Sequence, residues 1–183
     1  GKYILYIGAA YPHKNLPRLL EAWQAVHKEL PDYKLVLVGR EDFFWQKLKS
    51  SAALHVPLSG AQDPALQDNT LNIIFYGSAT DEELTALYKN AALLVQPSLE
   101  EGFSLPPLEA LAYGTPVAVS DIPVHREILG QAATYFDPRD FSAMAKIIIQ
   151  TLQTPPNSPL PRAYSWPENA AQTLHLYEEA LRV

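Results

Sequence analysis

Six short apolar runs recur along the chain, and helical spacing of apolar side chains follows each of them. Continuous runs rich in β-branched and aromatic residues are typical of strands buried on both faces, as in parallel sheets. The predicted strands are residues 3–7, 35–38, 73–76, 92–96, 116–119 and 133–136. Strands that alternate with helices over short links predict an α/β fold: a Rossmann-like, doubly wound parallel sheet of about six strands with right-handed crossovers.

The intervening segments carry helix signals. We expect helices at residues 16–30, 44–56, 81–88, 107–113, 122–129, 141–152 and 166–181. Asn15 is placed to cap the first of these, and Thr80 to Glu83 fits a capping box for the third. Trp23, Trp45 and Trp166 are expected to pack in the interior. Pro57 should end the second helix, with a polar loop to Thr70, and the proline-rich segment 154–161 suits neither a helix nor an inner strand.

Composition excludes several classes of protein. The 183 residues are 48% hydrophobic and 19% charged, as in a single soluble domain that buries roughly 70% of its unfolded surface. The net charge of −6 argues against a nucleic-acid partner, and no apolar stretch approaches the ~20 residues of a membrane span. The chain has no cysteine, and its five histidines show no metal-ligand spacing. We therefore expect one domain over residues 1–183, a cytoplasmic setting and no metal.

The predicted topology indicates where a ligand would bind. In the common strand order 3-2-1-4-5-6, strands one and four are neighbours, and ligands bind at their C-terminal ends. The loop after strand one carries Lys14, and the loop after strand four carries Glu101. Neither a Gly-x-Gly-x-x-Gly sequence nor a Walker loop is present, so a dinucleotide fingerprint is not the basis of this site.

The second loop leads into a predicted helix through Pro106 and Pro107, which suit a helix start because a missing N–H costs nothing there. The backbone N–H groups just before such a helix can bind an anion. Glu101 and Glu109 are eight positions apart. We interpret this stretch as holding a phosphorylated ligand, with the two glutamates on its hydroxyl groups.

Simpler interpretations stay open at this point. Lys14 can be a solvated surface lysine and Glu101 an exposed loop carboxylate, while Glu109 can merely complement a helix dipole. A hydrolytic carboxylate pair is a further alternative. His125 and Arg126 could approach a ligand, but we interpret their short helix as a structural support.

Several segments resemble family 4 of the retaining GT-B glycosyltransferases. Residues 101–117 resemble the Glu-x7-Glu signature of this family, and Pro12 to Leu16, Gly77 to Leu84, Ser120 to Glu127 and Ser165-Trp166 resemble its other motifs. The resemblance covers nearly the whole chain, apart from residues 44–70 and 154–161.

The resemblance implies a nucleotide-diphospho-sugar donor, transfer with retention at the anomeric carbon, and no metal or other cofactor. Lys14 matches a pyrophosphate-binding lysine, Glu109 a ribose-binding glutamate, and Glu101 a glutamate beside the donor sugar. Lys14 and Glu101 are the implied catalytic residues. The implied donor-binding set is Gly8, Lys14, Arg40, Tyr76, Gly77, Ser78, Thr80, Glu101, Gly102, Phe103, Ser104, Leu105 and Glu109.

Two positions depart from the family pattern. Ala9 stands where many relatives carry an arginine after the glycine of strand one, which leaves Lys14 as the phosphate cation of these loops. Ser104 replaces a frequent glycine, and we expect it to be tolerated through a negative φ.

The resemblance also implies a missing partner, because a GT-B enzyme has an acceptor-binding domain before the donor-binding one. This chain would then be the C-terminal half, which binds nucleotide but does not transfer sugar alone. Any peripheral membrane contact, at the inner face, would come through the missing domain. The loop 13–16 favours GDP-mannose, because it resembles that of bacterial mannosyl- and rhamnosyltransferases of polysaccharide assembly. The alternatives are a non-catalytic nucleotide-binding module, another GT-B enzyme such as a sugar epimerase or phosphorylase, and a purely structural domain.

Overall fold

The computed structural model describes residues 1–54, 71–156 and 165–181. The strands are β1 (Tyr3–Ile7), β2 (Lys34–Val38), β3 (Ile73–Gly77), β4 (Leu93–Gln96), β5 (Val117–Ser120) and β6 (Thr134–Phe136). The helices are α1 (Leu16–Glu29), α2 (Phe43–Leu54), α3 (Asp81–Asn90), α4 (Leu105–Ala112), α5 (Pro123–Leu129), α6 (Phe141–Gln153) and α7 (Trp166–Ala180). A short 3₁₀ helix, Pro12–Lys14, joins β1 to α1.

The strands form a parallel sheet in the order β3-β2-β1-β4-β5-β6, which confirms the predicted doubly wound α/β fold. Side chains alternate across each strand, so β1 contributes Ile4 and Tyr6 to one apolar layer and Leu5 to the other. Trp23 of α1 lies in the first layer and Tyr88 of α3 in the second. Because β1 and β4 are adjacent parallel strands, the loops at their C-terminal ends meet at the switch point of the sheet.

Some expected boundaries were wrong. Helix α4 begins at Leu105 rather than at 107, because the two prolines occupy its second and third positions, where no N–H is needed. Strand β1 has the predicted limits, and the other strand and helix limits within the described residues differ from the predicted ones by at most two residues. Several expectations lie outside the described residues. They are His55, the expected helix end at 56, Pro57, the polar loop to Thr70 and most of the segment 154–161.

The expectation for Trp166 was also wrong. Its side chain is 83% exposed, and α7 buries none of its residues. Helical spacing of apolar residues predicted the helix correctly, but such spacing does not say what covers the apolar face. Trp23 and Trp45 are buried in the core, as expected.

Asn15 does not cap α1 through its side chain, contrary to the sequence expectation. The residue has a left-handed φ of 59°, and its amide instead donates to the carbonyl oxygens of Pro97, at 3.0 Å, and of Pro138, at 2.8 Å. The backbone N–H of Leu99 in turn donates to the carbonyl of His13 at 2.7 Å. These bonds hold the loops that follow β1, β4 and β6 against one another.

We expect Asn15→Ala to lower the free energy of unfolding by about 2 kcal/mol, because it leaves two buried carbonyls without a donor and strains a left-handed position. Urea unfolding measures this value. Asn15→Gly has no backbone strain but also lacks the two hydrogen bonds. Its free energy of unfolding should therefore stay below that of the unaltered chain.

The matched control is Asn90→Ala, which removes an amide bond to the carbonyl of Ala86 on an exposed helix end and should change stability by less than about 0.5 kcal/mol. Wild-type stability in Asn15→Gly would show that the two interloop bonds contribute nothing.

Candidate functional site

Lys14 and Glu101 form an ion pair between the loops that follow β1 and β4. The ammonium nitrogen of Lys14 lies 2.8 Å from each carboxylate oxygen of Glu101. Their side chains are only 18% and 7% exposed. The two residues that the topology rule placed in one crevice are therefore in direct contact, although they are 87 positions apart.

Two buried residues at the end of β4 complete the shell around Glu101. The hydroxyl of Ser98 donates to Oε1 at 2.7 Å, and the amide of Gln96 donates to the same oxygen at 2.9 Å. Burial alone would raise the pKa of Glu101, but the hydrogen bonds from Lys14, Ser98 and Gln96 outweigh it and lower that pKa. Glu101 is thus an anion held by several donors.

Sequence reasoning did not identify Gln96 and Ser98 as site residues. Gln96 ends an otherwise apolar strand and is 1% exposed, and its Oε1 is buried with no hydrogen-bond donor among the described residues. A polar residue at the C-terminal end of a buried strand, at the switch point, was the signal available in the sequence.

The start of α4 differs from the sequence expectation. Ser104 has φ 72° and ψ 71°, so the expected negative φ was wrong. A left-handed conformation costs a residue other than glycine about 1–2 kcal/mol. Pro106 and Pro107 carry no N–H, so the donors at this helix end are the backbone groups of the loop and of Leu105.

His125 reaches this loop from α5. Its ring is fully buried, with Nδ1 2.9 Å from the carbonyl oxygen of Ser120 and Nε2 3.2 Å from the hydroxyl oxygen of Ser104. Burial lowers the pKa of His125; the bond to Ser120 and the charge of Glu101 oppose this effect, and Lys14 adds to it. The interpretation of α5 as a support alone therefore missed a contact with the site loop.

Arg126, by contrast, points elsewhere. Its guanidinium donates to both carboxylate oxygens of Asp121, at 2.6 and 2.7 Å, and lies 3.8 Å from the ring centre of Tyr135. These contacts match a supporting role. A cleft of about 300 Å³ opens beside Asp121 and is lined by Leu99, Asp121, Ile122, Asp137, Pro138 and Arg139.

Glu109 lies on the exposed side of α4. Its Oε2 accepts a hydrogen bond from the hydroxyl of Tyr88 at 2.6 Å, and the ring of Tyr88 stacks on Tyr113 at 5.7 Å. Burial raises the pKa of Tyr88, and the bond to Glu109 raises it further, so the phenol stays a donor. Tyr88 thus fixes one oxygen of Glu109 and leaves the other for a further hydroxyl group.

The remaining predicted residues lie at or just after the C-terminal ends of β1, β2 and β3, at the same edge of the sheet. Gly77 has a φ of 85°, the hydroxyl of Tyr76 donates to Glu83 at 3.0 Å, and Thr80 caps α3 in the predicted capping box. The hydrogen bonds of Tyr76 and Thr80 join these residues to the first turn of α3 rather than to the Lys14–Glu101 pair. Ser78 and Arg40 are exposed.

Gly8 has a steric reason for its identity. A Cβ at this position would lie 2.8 Å from the hydroxyl of Tyr6, which itself donates to the carbonyl of Ala9 at 2.7 Å. Gly102, Phe103 and Leu105, in and directly after the second loop, are exposed.

The described residues contain no group of three or more His, Cys, Asp or Glu side chains placed to hold a metal ion. Metal-free chemistry stays a prediction. Within the same part of the chain, no helix has the length and apolarity needed to span a membrane.

Comparison with known proteins gives a family match over most of the chain. The family described as "Glycosyl transferases group 1" matches residues 1–173. The O-antigen chain mannosyltransferase B of Escherichia coli is 32% identical over 189 residues, which covers 96% of this chain and 45% of the relative. The O-antigen chain mannosyltransferase RfbU of Salmonella typhimurium is 36% identical over 157 residues, covering 84% and 39%. The chain thus spans less than half the length of these curated relatives.

Solved structures share the fold at low sequence identity. TarM superposes with a TM-score of 0.67 at 19% identity, over 82% of this chain and 28% of that one. The UDP-forming α,α-trehalose-phosphate synthase of Burkholderia vietnamiensis gives 0.66 at 14% identity, over 85% and 38%. At these identities the two likenesses show the fold alone, which is the architecture of the sheet and its helices.

We expect His125 to make stability depend on pH. Because its folded pKa lies below the ordinary 6.5, its contribution is complete above that value and is lost as the pH falls. Glu101, whose pKa lies below 4.5, adds a second loss at lower pH. Urea unfolding from above pH 6.5 to below pH 4.5 should show both losses of stability. The loss due to His125 should be absent from His125→Gln, and the loss at lower pH should be smaller in Glu101→Gln. An unchanged pH profile in His125→Gln would contradict this assignment.

Proposed function

The chain belongs to the glycosyl transferases group 1 family, and from this we propose that it is the donor-binding half of a retaining glycosyltransferase. In this role it binds a nucleotide-diphospho-sugar, and the complete enzyme transfers the sugar in polysaccharide or glycolipid assembly. The observation that carries the proposal is the contact of Lys14 with Glu101 at the switch point of the sheet.

The ion pair suits a site that exchanges one anion for another. An ammonium group has three donors, so Lys14 can turn part of its contact from Glu101 to an arriving diphosphate. Glu101 keeps its bonds from Ser98 and Gln96 during this exchange. It can therefore stay ionised and accept hydrogen bonds from hydroxyl groups of the donor sugar.

Other residues suit the nucleoside. Glu109, oriented by Tyr88, would accept a hydrogen bond from the ribose through its second oxygen. The proposed surroundings of the base and the adjoining phosphates are Gly8, Arg40, Tyr76, Gly77, Ser78 and Thr80. The left-handed φ of Gly77 lets the backbone turn sharply between β3 and the capped start of α3.

The chemical step is cleavage of the bond between the anomeric carbon and the phosphate oxygen. Positive charge develops on the sugar, and negative charge on the leaving diphosphate. Lys14 and the backbone N–H groups of Gly102 to Leu105 would stabilise that anion where it forms. The acceptor hydroxyl attacks from the same face, and its proton passes to the leaving phosphate oxygen. No step in this scheme needs a metal.

We favour GDP-mannose as the donor. Three relatives of different names are mannosyltransferases, two of them acting on O-antigen chains by name. The chain alone would bind the donor without transferring sugar, because the acceptor would be held by a preceding domain. We place the complete enzyme in the cytoplasm at the inner face of the membrane.

Calorimetric titration with GDP, UDP and ADP tests the site. We expect one diphosphate to bind selectively. Lys14→Ala should raise its dissociation constant at least about tenfold, because a charge-assisted contact to phosphate is lost. Glu109→Gln should weaken it less, since an amide oxygen still accepts a hydrogen bond.

Lys49→Ala is the matched control, because Lys49 of α2 forms an exposed ion pair, at 3.0 Å, with Glu41 just before that helix. It should bind as tightly as the unaltered chain. Equal effects of Lys14→Ala and Lys49→Ala on the dissociation constant would show that Lys14 is not part of the site. Failure of the unaltered chain to bind any of the three diphosphates would contradict the proposed donor site.

Product analysis tests the reaction. We expect the 183-residue chain alone to give no transfer from GDP-mannose, and the chain preceded by its acceptor domain to give a glycoside with the donor's anomeric configuration. Glu101→Gln should lower kcat by about 10²-fold, as for loss of one transition-state contact. A free epimerised sugar would favour the epimerase alternative, and an inverted product would contradict retention.

A further inference from the structure

We infer that His125 is a positioning residue of the donor site, and that it acts by holding Ser104 in the backbone conformation that a glycine would adopt unaided. The inference rests on the proposed function, because its consequence is the placement of the N–H groups that would face the diphosphate. Its evidence is the geometry around Ser104.

Ser104 is unusual among the strained positions of the described chain. Three residues other than glycine have a positive φ there, and the other two, Asn15 and Asn72, are of a type that tolerates the left-handed region. A serine has no such advantage. Another contact must therefore hold Ser104 in place.

The hydroxyl of Ser104 has no ordinary role at this helix start. An N-cap serine normally accepts a hydrogen bond from the N–H of the second or third helical residue. Here those residues are Pro106 and Pro107, which have no N–H, and Ser104 makes no side-chain capping bond. The hydroxyl is thus available for a different partner.

His125 supplies that partner. Its Nδ1 lies against the carbonyl oxygen of Ser120, so in the neutral ring Nδ1 carries the proton and Nε2 is the acceptor. The Ser104 hydroxyl, 3.2 Å away, then donates to Nε2. Because the ring is fully buried and fixed from the other side, this bond ties the start of α4 to the end of β5.

The consequence concerns the peptide after Ser104. The φ and ψ of Ser104 set the direction of the N–H of Leu105, the only one of the first three helical residues that has an N–H. If Ser104 relaxed to a right-handed conformation, the direction of that N–H would change. His125 would then affect anion binding without touching the anion.

A double-mutant cycle at positions 104 and 125 tests this inference. The proteins are the unaltered chain, Ser104→Gly, His125→Gln and the double variant, with Ser104→Ala added. The probe is whichever of GDP, UDP and ADP binds the unaltered chain most tightly. We expect Ser104→Ala and His125→Gln to weaken binding about fivefold to tenfold. Ser104→Gly should weaken it less than Ser104→Ala does, because glycine keeps the backbone N–H and adopts a left-handed φ without strain.

The decisive comparison is the effect of His125→Gln in the Ser104→Gly background. Glycine needs no support, so the histidine substitution should then change the dissociation constant by less than about twofold. The same loss in both backgrounds would show that His125 acts through general packing and would overturn the inference. Wild-type binding by Ser104→Ala would overturn it too.

Unfolding of the same proteins tests the inference without a ligand. His125→Gln should raise the unfolding equilibrium constant in both backgrounds. We expect the factor of this increase to be at least about five times smaller in Ser104→Gly than in the unaltered chain. Additive effects would overturn the inference, whereas failure of the unaltered chain to bind any diphosphate would count against the proposed function alone. If His125→Gln does not fold, the contrast between Ser104→Ala and Ser104→Gly decides, since both keep His125.

Discussion

The amide of Asn15 is the interaction on which the geometry of this edge depends. It bonds carbonyl groups 82 and 123 residues further along the chain, and so joins three loops that the sheet alone would only bring near one another. Lys14, the preceding residue, takes its position from the same turn. A parallel sheet fixes where strands end, but the loops beyond them need bonds of their own. One buried side chain provides these bonds for the crevice described above.

The Lys14–Glu101 pair makes the site nearly neutral before a ligand arrives. The ammonium is compensated, Ala9 adds no charge, and the two prolines remove helix-end donors. A diphosphate would therefore be bound mainly through redistribution of existing hydrogen bonds. Glu101 can take part in this because its other donors, Gln96 at the end of β4 and Ser98 in the loop that follows, stay bonded to it. The crevice depends more on directed contacts than on net positive charge.

The sequence allowed the sheet order and the Lys14–Glu101 crevice to be predicted, because apolar runs and short links are local signals that a general topology rule converts into positions. Local reasoning failed where a side chain acts at long range. Asn15 looked like a helix cap, yet its amide bonds distant loops. Ser104 was expected at negative φ, since nothing nearby in the sequence indicates that His125 lies against it. Trp166 has a core-like identity, but exposure depends on what packs above α7.

The pair of prolines at the start of α4 has a consequence for the entropy of binding. The ring of each proline fixes φ at about −65° in the unfolded chain as well as in the folded one, and this is the value that the first turn of a helix requires. Much of the order in this loop is thus established when the domain folds. A ligand that meets a preorganised loop loses less conformational freedom in its receptor, so each contact contributes more of its strength to affinity. A loop that carries few donors can compensate in this way by holding those donors still.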